Sequence, residues 1–333
     1  MKEEIARMQA YIEKFPSDMK EAFEIGSKAV KSFDTKKVDR VLIIGLGGSG
    51  IGGRICQNLV FDSCSTPISL VNNYDLPAWV NSTTLVIAVS YSGNTEETLN
   101  AYNQATEKGC QIACITSGGS LAEKAKIDGA NIVLIPGGQP PRTSFGYNAS
   151  QLFFILEAYG LLSQNFSGML KSVAEILEQK SESIRTKASQ IAKGLADKLP
   201  VVYAPSNLEG VAIRLRQQIN ENAKMLCWHH VLPEMNHNEL VGWADEHLNI
   251  GVIFLYSDRD HPKVETRRKL TRDILKKKVN ACFEIQAQGD TAMEQAYYLI
   301  HLGDWISFYL AEIRDVDPIE IDVIDYLKSE LAK

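Results

Sequence analysis

Two segments rich in glycine and hydroxyl residues have the groups best suited to bind an anion. The first, "IIGLGGSGIGGR" at 43–54, and the second, "VSYSGNTEET" at 89–98, each begin in an apolar run. Backbone N–H groups between a strand and a helix, joined by short hydroxyl side chains, bind compact dianions such as a phosphate monoester. The residues predicted to bind phosphate are Gly47, Gly48, Ser49, Ser90, Ser92 and Thr95.

The first segment also has the spacing of a dinucleotide-binding fingerprint, Gly45-x-Gly47-x-x-Gly50. That fingerprint expects an Asp or Glu at the end of the next strand to bind the ribose. Here the next apolar run ends in Asn72 and Asn73, and no lysine stands where a P-loop has one. A monophosphate therefore fits better than a dinucleotide or a nucleoside triphosphate, with a dinucleotide-dependent oxidoreductase as an alternative.

The segment "CWHHVLPEMNHNE" concentrates potential metal ligands. They are His229, His230, Glu234, His237 and Glu239. Their spacing matches none of the helix-spaced ligand patterns, and the proline interrupts any helix that would align them. We therefore expect no metal site here.

Short apolar runs alternate with helix-patterned segments in the first half of the chain, as in a parallel sheet covered by helices. The predicted strands are 40–46, 68–72, 84–90, 111–116 and 131–136. Because the carboxyl ends of parallel strands meet at one edge, where such sheets bind ligands, this arrangement brings the two anion-binding segments together.

The same alternation restarts after a long helical stretch at 147–195. Strands are predicted at 200–206, 250–257 and 281–287, with helices at 208–226, 263–278 and 291–313. A helical pattern also covers 3–32, with Ile5, Met8 and Ile12 at helical spacing. The chain is thus predicted to be an α/β protein with two halves of similar build.

Composition limits the classes of partner. The 333 residues carry a net charge of −6, which gives no electrostatic footprint for nucleic acid or an anionic membrane. No apolar run approaches the roughly 20 residues of a membrane span. The six cysteines form no C-x-x-C pair, which favours reduced thiols and a cytoplasmic location.

Several motifs resemble those of a known family. "GLGGSGIGG" with "SYSGNTEET" resembles the sugar isomerase (SIS) domain. "PPRTSFGY", "NENAK", "PEMNHNELVGW" and "IDYLK" are similar to motifs of the bifunctional phosphoglucose/phosphomannose isomerases, and the resemblance spans nearly the whole chain. It implies two SIS domains, each a flavodoxin-like three-layer αβα sandwich. The expected ranges are an N-terminal helical extension at 1–38, SIS domains at 39–155 and 196–333, and a helical linker at 156–195.

The resemblance also implies an activity: interconversion of glucose 6-phosphate, and also mannose 6-phosphate, with fructose 6-phosphate. Such an aldose–ketose isomerase transfers a proton through an enediolate and needs no cofactor. Two alternatives remain: a non-catalytic SIS-domain sensor of sugar phosphates, and a different sugar-phosphate isomerase. The N-terminal 38 residues are too short and too acidic for a helix-turn-helix. They therefore do not favour a sensor that binds DNA.

By resemblance, four residues carry the chemistry. Glu221 is the base, and Arg142 stabilises the enediolate. His237 opens the sugar ring in the site of the neighbouring subunit of a homodimer, and Lys328 closes over the site and assists ring opening. Histidine suits proton transfer near neutral pH, and the two prolines before Arg142 fix an extended turn that can deliver a guanidinium.

Overall fold

The first half of the chain forms a five-stranded parallel sheet. The structure is a computed structural model that describes residues 2–331; Met1, Ala332 and Lys333, which end the predicted domain ranges, lie outside it. The strands are β1 (Arg40–Ile44), β2 (Ile68–Val71), β3 (Thr84–Val89), β4 (Gln111–Thr116) and β5 (Asn131–Leu134). Their order, β2-β1-β3-β4-β5, is the flavodoxin-like order, as predicted.

The second half forms a four-stranded parallel sheet in the order β7-β6-β8-β9. Its strands are β6 (Leu199–Pro205), β7 (Trp228–Leu232), β8 (Ile250–Tyr256) and β9 (Ala281–Gln286). The edge strand β7 is not among the predicted strands, because His229 and His230 interrupt its apolar pattern and it pairs with β6 alone.

Helices cover the sheets. They are α1 (Lys2–Glu13), α2 (Phe15–Ala29), α3 (Gly47–Leu59), α4 (Glu96–Glu107), α5 (Gly119–Asp128), α6 (Phe145–Ala158), α7 (Phe166–Gln179), α8 (Ser181–Leu195), α9 (Glu209–Ala223), α10 (Pro262–Leu275), α11 (Ala292–Arg314) and α12 (Asp322–Leu331). The long helical stretch predicted at 147–195 is divided into α6, α7 and α8. Gly160 adopts a left-handed conformation after α6, and the Asn165 side chain caps α7 by accepting the Gly168 N–H at 2.8 Å.

The neighbouring strands β1 and β3 each contribute side chains to two apolar clusters, one on each face of the sheet, as a three-layer arrangement requires. In β3, Leu85 and Ile87 pack into the main cluster, whereas Val86 and Ala88 pack into a smaller one against α4 and α5. The main cluster is continuous across both halves, since it also contains β6 residues such as Val202. Within residues 2–331, no helix has the length and apolar character that a membrane span requires.

Candidate active site

The glycine segment forms the turn between β1 and α3. Gly47 begins α3 in a left-handed conformation with φ of 51°, which glycine adopts most easily. A β-carbon on Gly50 would lie 2.4 Å from the Gly45 carbonyl oxygen, so the fingerprint spacing serves close packing of the turn. The Asn72 side chain donates to that same carbonyl at 2.5 Å. Asn72, where a dinucleotide-binding protein would present a ribose-binding acid, thus holds the turn together.

Gly48 brings this turn against Arg142. A β-carbon at position 48 would lie 3.1 Å from both the backbone nitrogen and the Cα atom of Arg142. Such contacts are tighter than most, so a side chain at position 48 would require the Arg142 turn to move by a few tenths of an ångström. The predicted anion-binding turn and the predicted enediolate-stabilising residue are therefore neighbours.

The hydroxyl segment after β3 lies beside the glycine turn. The buried Ser49 hydroxyl accepts the backbone N–H of Tyr91 at 3.1 Å. Ser90 is buried and its hydroxyl lies 2.9 Å from that of Thr95, while exposed Ser92 accepts the Asn94 N–H at 3.2 Å. Because a hydroxyl has one donor and can also accept, Ser49 and Ser92 can keep these bonds and still donate to a phosphate oxygen, as can one hydroxyl of the Ser90–Thr95 pair.

Thr95 occupies the N-cap position of α4, but its side chain does not cap the helix. The hydroxyl pairs with Ser90, and no side-chain cap bond reaches the first turn of α4. The amides of that turn therefore have no bond from the Thr95 hydroxyl. A helix N-terminus with such amides favours an anion.

Tyr91 connects three loops around the same point. Its N–H donates to Ser49, and its carbonyl accepts the Ser117 hydroxyl at 2.6 Å. Its phenol oxygen accepts the Gln139 N–H at 3.1 Å, three residues before Arg142. Burial raises the pKa of Tyr91, so the phenol stays neutral. Sequence reasoning did not single out Tyr91, since a tyrosine in a buried loop gives no signal of which loops it joins.

Arg142 is almost fully buried, and all three nitrogens of its guanidinium have partners in the chain. It lies in a 3₁₀ turn at Pro141–Thr143 and is 2% exposed. Nη1 lies 3.3 Å from a carboxylate oxygen of Glu221, and Nε donates to the Asn222 side-chain oxygen at 2.7 Å. Nη2 donates to the carbonyls of Pro318 and Ile319. This fork fixes the guanidinium beside Glu221 in one orientation.

Electrostatics at Arg142 follow from this burial. Desolvation lowers the pKa of Arg142, while the carboxylates of Glu221, Asp317 and Glu320 act in the opposite direction. The carboxylates therefore help keep the buried guanidinium charged. Glu221 itself, at the last turn of α9, keeps about a quarter of its side chain exposed, so a ligand can reach it.

A buried polar network holds α9 in place beneath Glu221. Arg214 pairs with Asp304 of α11 at 2.8 Å and also donates to the Arg142 carbonyl at 3.3 Å. Gln218 donates to the other Asp304 oxygen at 2.9 Å. Burial raises the pKa of Asp304, and Arg214 opposes that shift. Because these bonds connect α9 both to α11 and to the Arg142 carbonyl, the network fixes the helix that carries Glu221 relative to the Arg142 turn.

His237 and Lys328 do not join Arg142 and Glu221 within the described chain. His237 ends a 3₁₀ turn at Glu234–His237 and is exposed. Lys328 lies on α12 with 66% of its side chain exposed, 3.6 Å from Asp325. The structure thus unites the glycine turn, Arg142 and Glu221, and the roles of His237 and Lys328 stay predictions.

The histidine-rich segment lines a cavity elsewhere. His230 contacts Glu239 at 2.6 Å, beside Trp228 and Trp243, in a cavity of about 600 Å³ at the outer face of the second sheet. Burial lowers the pKa of the neighbouring His229 to about 4. Among residues 2–331, no three His, Cys, Asp or Glu side chains are grouped so that they could hold a metal ion.

Family models match both halves of the chain. The model of the SIS domain matches residues 35–134, and the "Bacterial phospho-glucose isomerase C-terminal SIS domain" matches residues 184–331. A bifunctional phosphoglucose/phosphomannose isomerase of Caldicellulosiruptor bescii is 36% identical, over 96% of this chain and 97% of its own length. The chain belongs to this isomerase family. The family's pair of SIS domains agrees with the two sheets, so the predicted fold class is confirmed.

A second relative agrees with that assignment, and a solved structure shares the fold. The bifunctional phosphoglucose/phosphomannose isomerase of Aquifex aeolicus is 36% identical over 88% of this chain and 90% of its own length. The C-terminal domain of glucosamine-fructose-6-phosphate aminotransferase from Francisella tularensis superimposes with a TM-score of 0.75. It covers 94% of this chain and 98% of that one at 16% identity, which shows the shared fold alone. Phosphoglucose/phosphomannose isomerases and this chain thus agree along nearly their whole length.

Proposed function

We propose that the protein interconverts glucose 6-phosphate and fructose 6-phosphate, and also mannose 6-phosphate and fructose 6-phosphate. The observation that carries this proposal is the position of Arg142 between two predicted functional groups. Its backbone packs on Gly48 of the anion-binding turn, and its guanidinium lies 3.3 Å from Glu221. Family membership over nearly the whole chain supports the same activity.

The proposed reaction is a proton transfer along the first two carbons of the open sugar. The phosphate binds to Gly47, Gly48 and the hydroxyls after β3, which leaves the far end of the sugar near Glu221. Glu221 removes the proton from C2 of the aldose, the electron pair forms an enediolate, and the proton of the C2 hydroxyl passes to the C1 oxygen. Return of the proton to C1 gives the ketose, so the carboxylate ends as it began.

Arg142 supplies the charge that this intermediate needs. The guanidinium is held rigidly by Asn222 and by two backbone carbonyls, so it needs no reorientation as negative charge develops on the enediolate oxygens. His237 and Lys328 are proposed to open the sugar ring, and the reaction as written consumes no redox cofactor.

We further propose a homodimer, a cytoplasmic location and a role in central sugar metabolism such as glycolysis. Exposed His237 is suited to reach a second copy. Free thiols at all six cysteines suit a reducing compartment. We also propose the division into an extension (1–38), two SIS domains (39–155 and 196–333) and a linker (156–195).

The test supplies purified protein and EDTA with fructose 6-phosphate and measures glucose 6-phosphate and mannose 6-phosphate separately. Glu221→Gln should lower kcat by about 10²- to 10⁴-fold, since general acid–base catalysis contributes that much. Glu209→Gln, in the first turn of the same helix, is the matched control and should retain wild-type kcat. Equal rates for both variants would remove Glu221 as the base.

The alternatives give different results in the same preparation. A sensor would bind fructose 6-phosphate saturably without forming either aldose phosphate. A different sugar-phosphate isomerase would leave fructose 6-phosphate unchanged and convert another ketose phosphate. A dinucleotide-dependent oxidoreductase would change the absorbance or fluorescence of added NAD(H).

A further inference from the structure

Lys224 has a backbone conformation that lysine rarely adopts. Among residues 2–331, the non-glycine residues with positive φ are Lys224, at 54°, and Asp315, at 51°. Lys224 follows the last turn of α9, a position where glycine or asparagine is usual. A side chain kept in such a conformation points to a function that offsets the strain.

The Lys224 amino group joins two parts of the chain. Nζ donates to the Glu221 carbonyl at 2.7 Å and to the Glu320 carbonyl at 2.7 Å. The first bond closes the end of α9, and the second reaches 96 residues along the chain. With its backbone in the left-handed conformation, Lys224 thus donates two short hydrogen bonds from one ammonium group.

The second part is the segment 317–320, which we name the strap. The Asp317 side chain accepts the N–H groups of Ile319 and Glu320, which folds the strap into a turn. Its Pro318 and Ile319 carbonyls accept the Arg142 guanidinium. Three consecutive strap carbonyls are thus bound by two cations, Arg142 and Lys224.

The strap also leads directly into α12. That helix begins at Asp322 and has no buried residue, so little packing of its own fixes its position. Val323, Tyr326 and Leu327 on α12 are all more than half exposed. The bonds to the strap, together with the packing of Pro318 and Ile319, therefore set where α12, with Lys328, leaves the rest of the chain.

We propose that Lys224 is a positioning residue that fixes the strap against the end of α9, and so sets the orientation of Arg142 and the start of α12. This inference rests on the proposed function, because it assigns Lys224 to the same site. Burial lowers the pKa of Lys224, and the Glu320 and Asp317 carboxylates oppose that shift. The amino group acts through the strap and not on the sugar.

The experiment compares Lys224→Met, which removes the donors, with Lys193→Met, an exposed lysine in the last turn of α8. Amide hydrogen exchange of the strap and α12 is measured on the substrate-free protein, and kcat and KM are measured with fructose 6-phosphate. Lys224→Met should speed exchange of these amides and lower kcat roughly 10- to 100-fold, with KM changing less, because small misplacements of catalytic groups cost that much. Lys193→Met should match the wild type in both.

Lys224→Gly serves as a second variant, since glycine adopts the left-handed conformation without strain. It should fold at least as readily as Lys224→Met and show the same faster exchange and lower kcat. Unchanged exchange with a lower kcat would overturn the proposal in favour of direct contact with the sugar. Unchanged exchange with unchanged kcat would overturn it altogether. A wild type without isomerase activity would contradict the proposed function, while the exchange result would still report on the strap.

Discussion

The backbone of Arg142 lies 3.1 Å from the point that a β-carbon on Gly48 would occupy. This contact joins the anion-binding turn of the first half to a guanidinium whose side-chain partners, Glu221 and Asn222, come from the second. The predicted phosphate-binding turn and the residues proposed for the chemistry therefore share one rigid support. The spacing between them is set by backbone contact and not by flexible side chains.

Gly48→Ala should separate these two functions. The added methyl group meets backbone atoms of a turn that two prolines and Arg214 hold in place, so it cannot be absorbed by a side-chain rotation. We expect the free energy of unfolding to fall by about 1–3 kcal/mol and kcat/KM to fall at least about tenfold. Chemical denaturation and the coupled isomerase assay check both.

Gly242→Ala is the control for Gly48→Ala. A β-carbon there meets nothing within 4 Å, and its stability should stay within about 0.5 kcal/mol of the wild type. A Gly48→Ala variant as active as Gly242→Ala would show that the turn and Arg142 tolerate separation.

Arg142→Lys tests the fork geometry at constant charge. Lysine cannot bind Glu221, Asn222 and the strap carbonyls together, so buried acceptors lose their donors. We expect kcat to fall by about 10²- to 10³-fold and stability to fall by about 1–3 kcal/mol. Steady-state kinetics beside a urea titration measure the two, and a variant with wild-type kcat would refute the role of the guanidinium.

Tyr91→Phe removes one acceptor from the loop network. The Gln139 N–H loses its partner, which lowers stability by about 0.5–1.5 kcal/mol. We expect kcat to fall by roughly tenfold, since Gln139 leads into the Arg142 turn. Tyr159→Phe, which removes a comparable bond to Asn131, should cost similar stability and leave kcat unchanged. Equal kcat for the two variants would contradict the positioning role of Tyr91.

His229 predicts a pH dependence of stability. Burial depresses its pKa to about 4 from an ordinary 6.5, so the folded protein favours the neutral imidazole. A depressed pKa gives stability that is present above pH 6.5 and is lost as the pH falls toward 4. The free energy of unfolding of the wild type should therefore fall more steeply over that window than that of His229→Gln. Parallel curves would contradict the assignment.

The fold was largely predictable because most strands are short, largely apolar runs. β3, buried along its whole length, is an example. The edge strand β7 was missed since it is only partly buried and contains Trp228, His229 and His230, which give neither alternation nor an apolar run. The break after α6 depends on the turn at Gly160 and the cap at Asn165. The apolar pattern around these two residues masked both signals.

The site divides in the same way. That the two predicted anion-binding segments lie side by side was predictable, because both follow strands of one parallel sheet at their carboxyl ends. Arg142 and Glu221 came from resemblance, and their contact joins positions 79 residues apart, which no spacing pattern reveals. Lys224 was not predicted, since nothing in "NENAK" announces a left-handed lysine whose partner is a carbonyl at Glu320.

The main apolar cluster runs without interruption from the first sheet to the second. Separating the two halves would expose that shared interior to water. The free-energy cost of exposing so much apolar surface exceeds what binding of a sugar phosphate supplies. The two halves should therefore unfold in one cooperative transition and remain packed together throughout turnover. Entry and release of the sugar then depend on movement of peripheral segments alone.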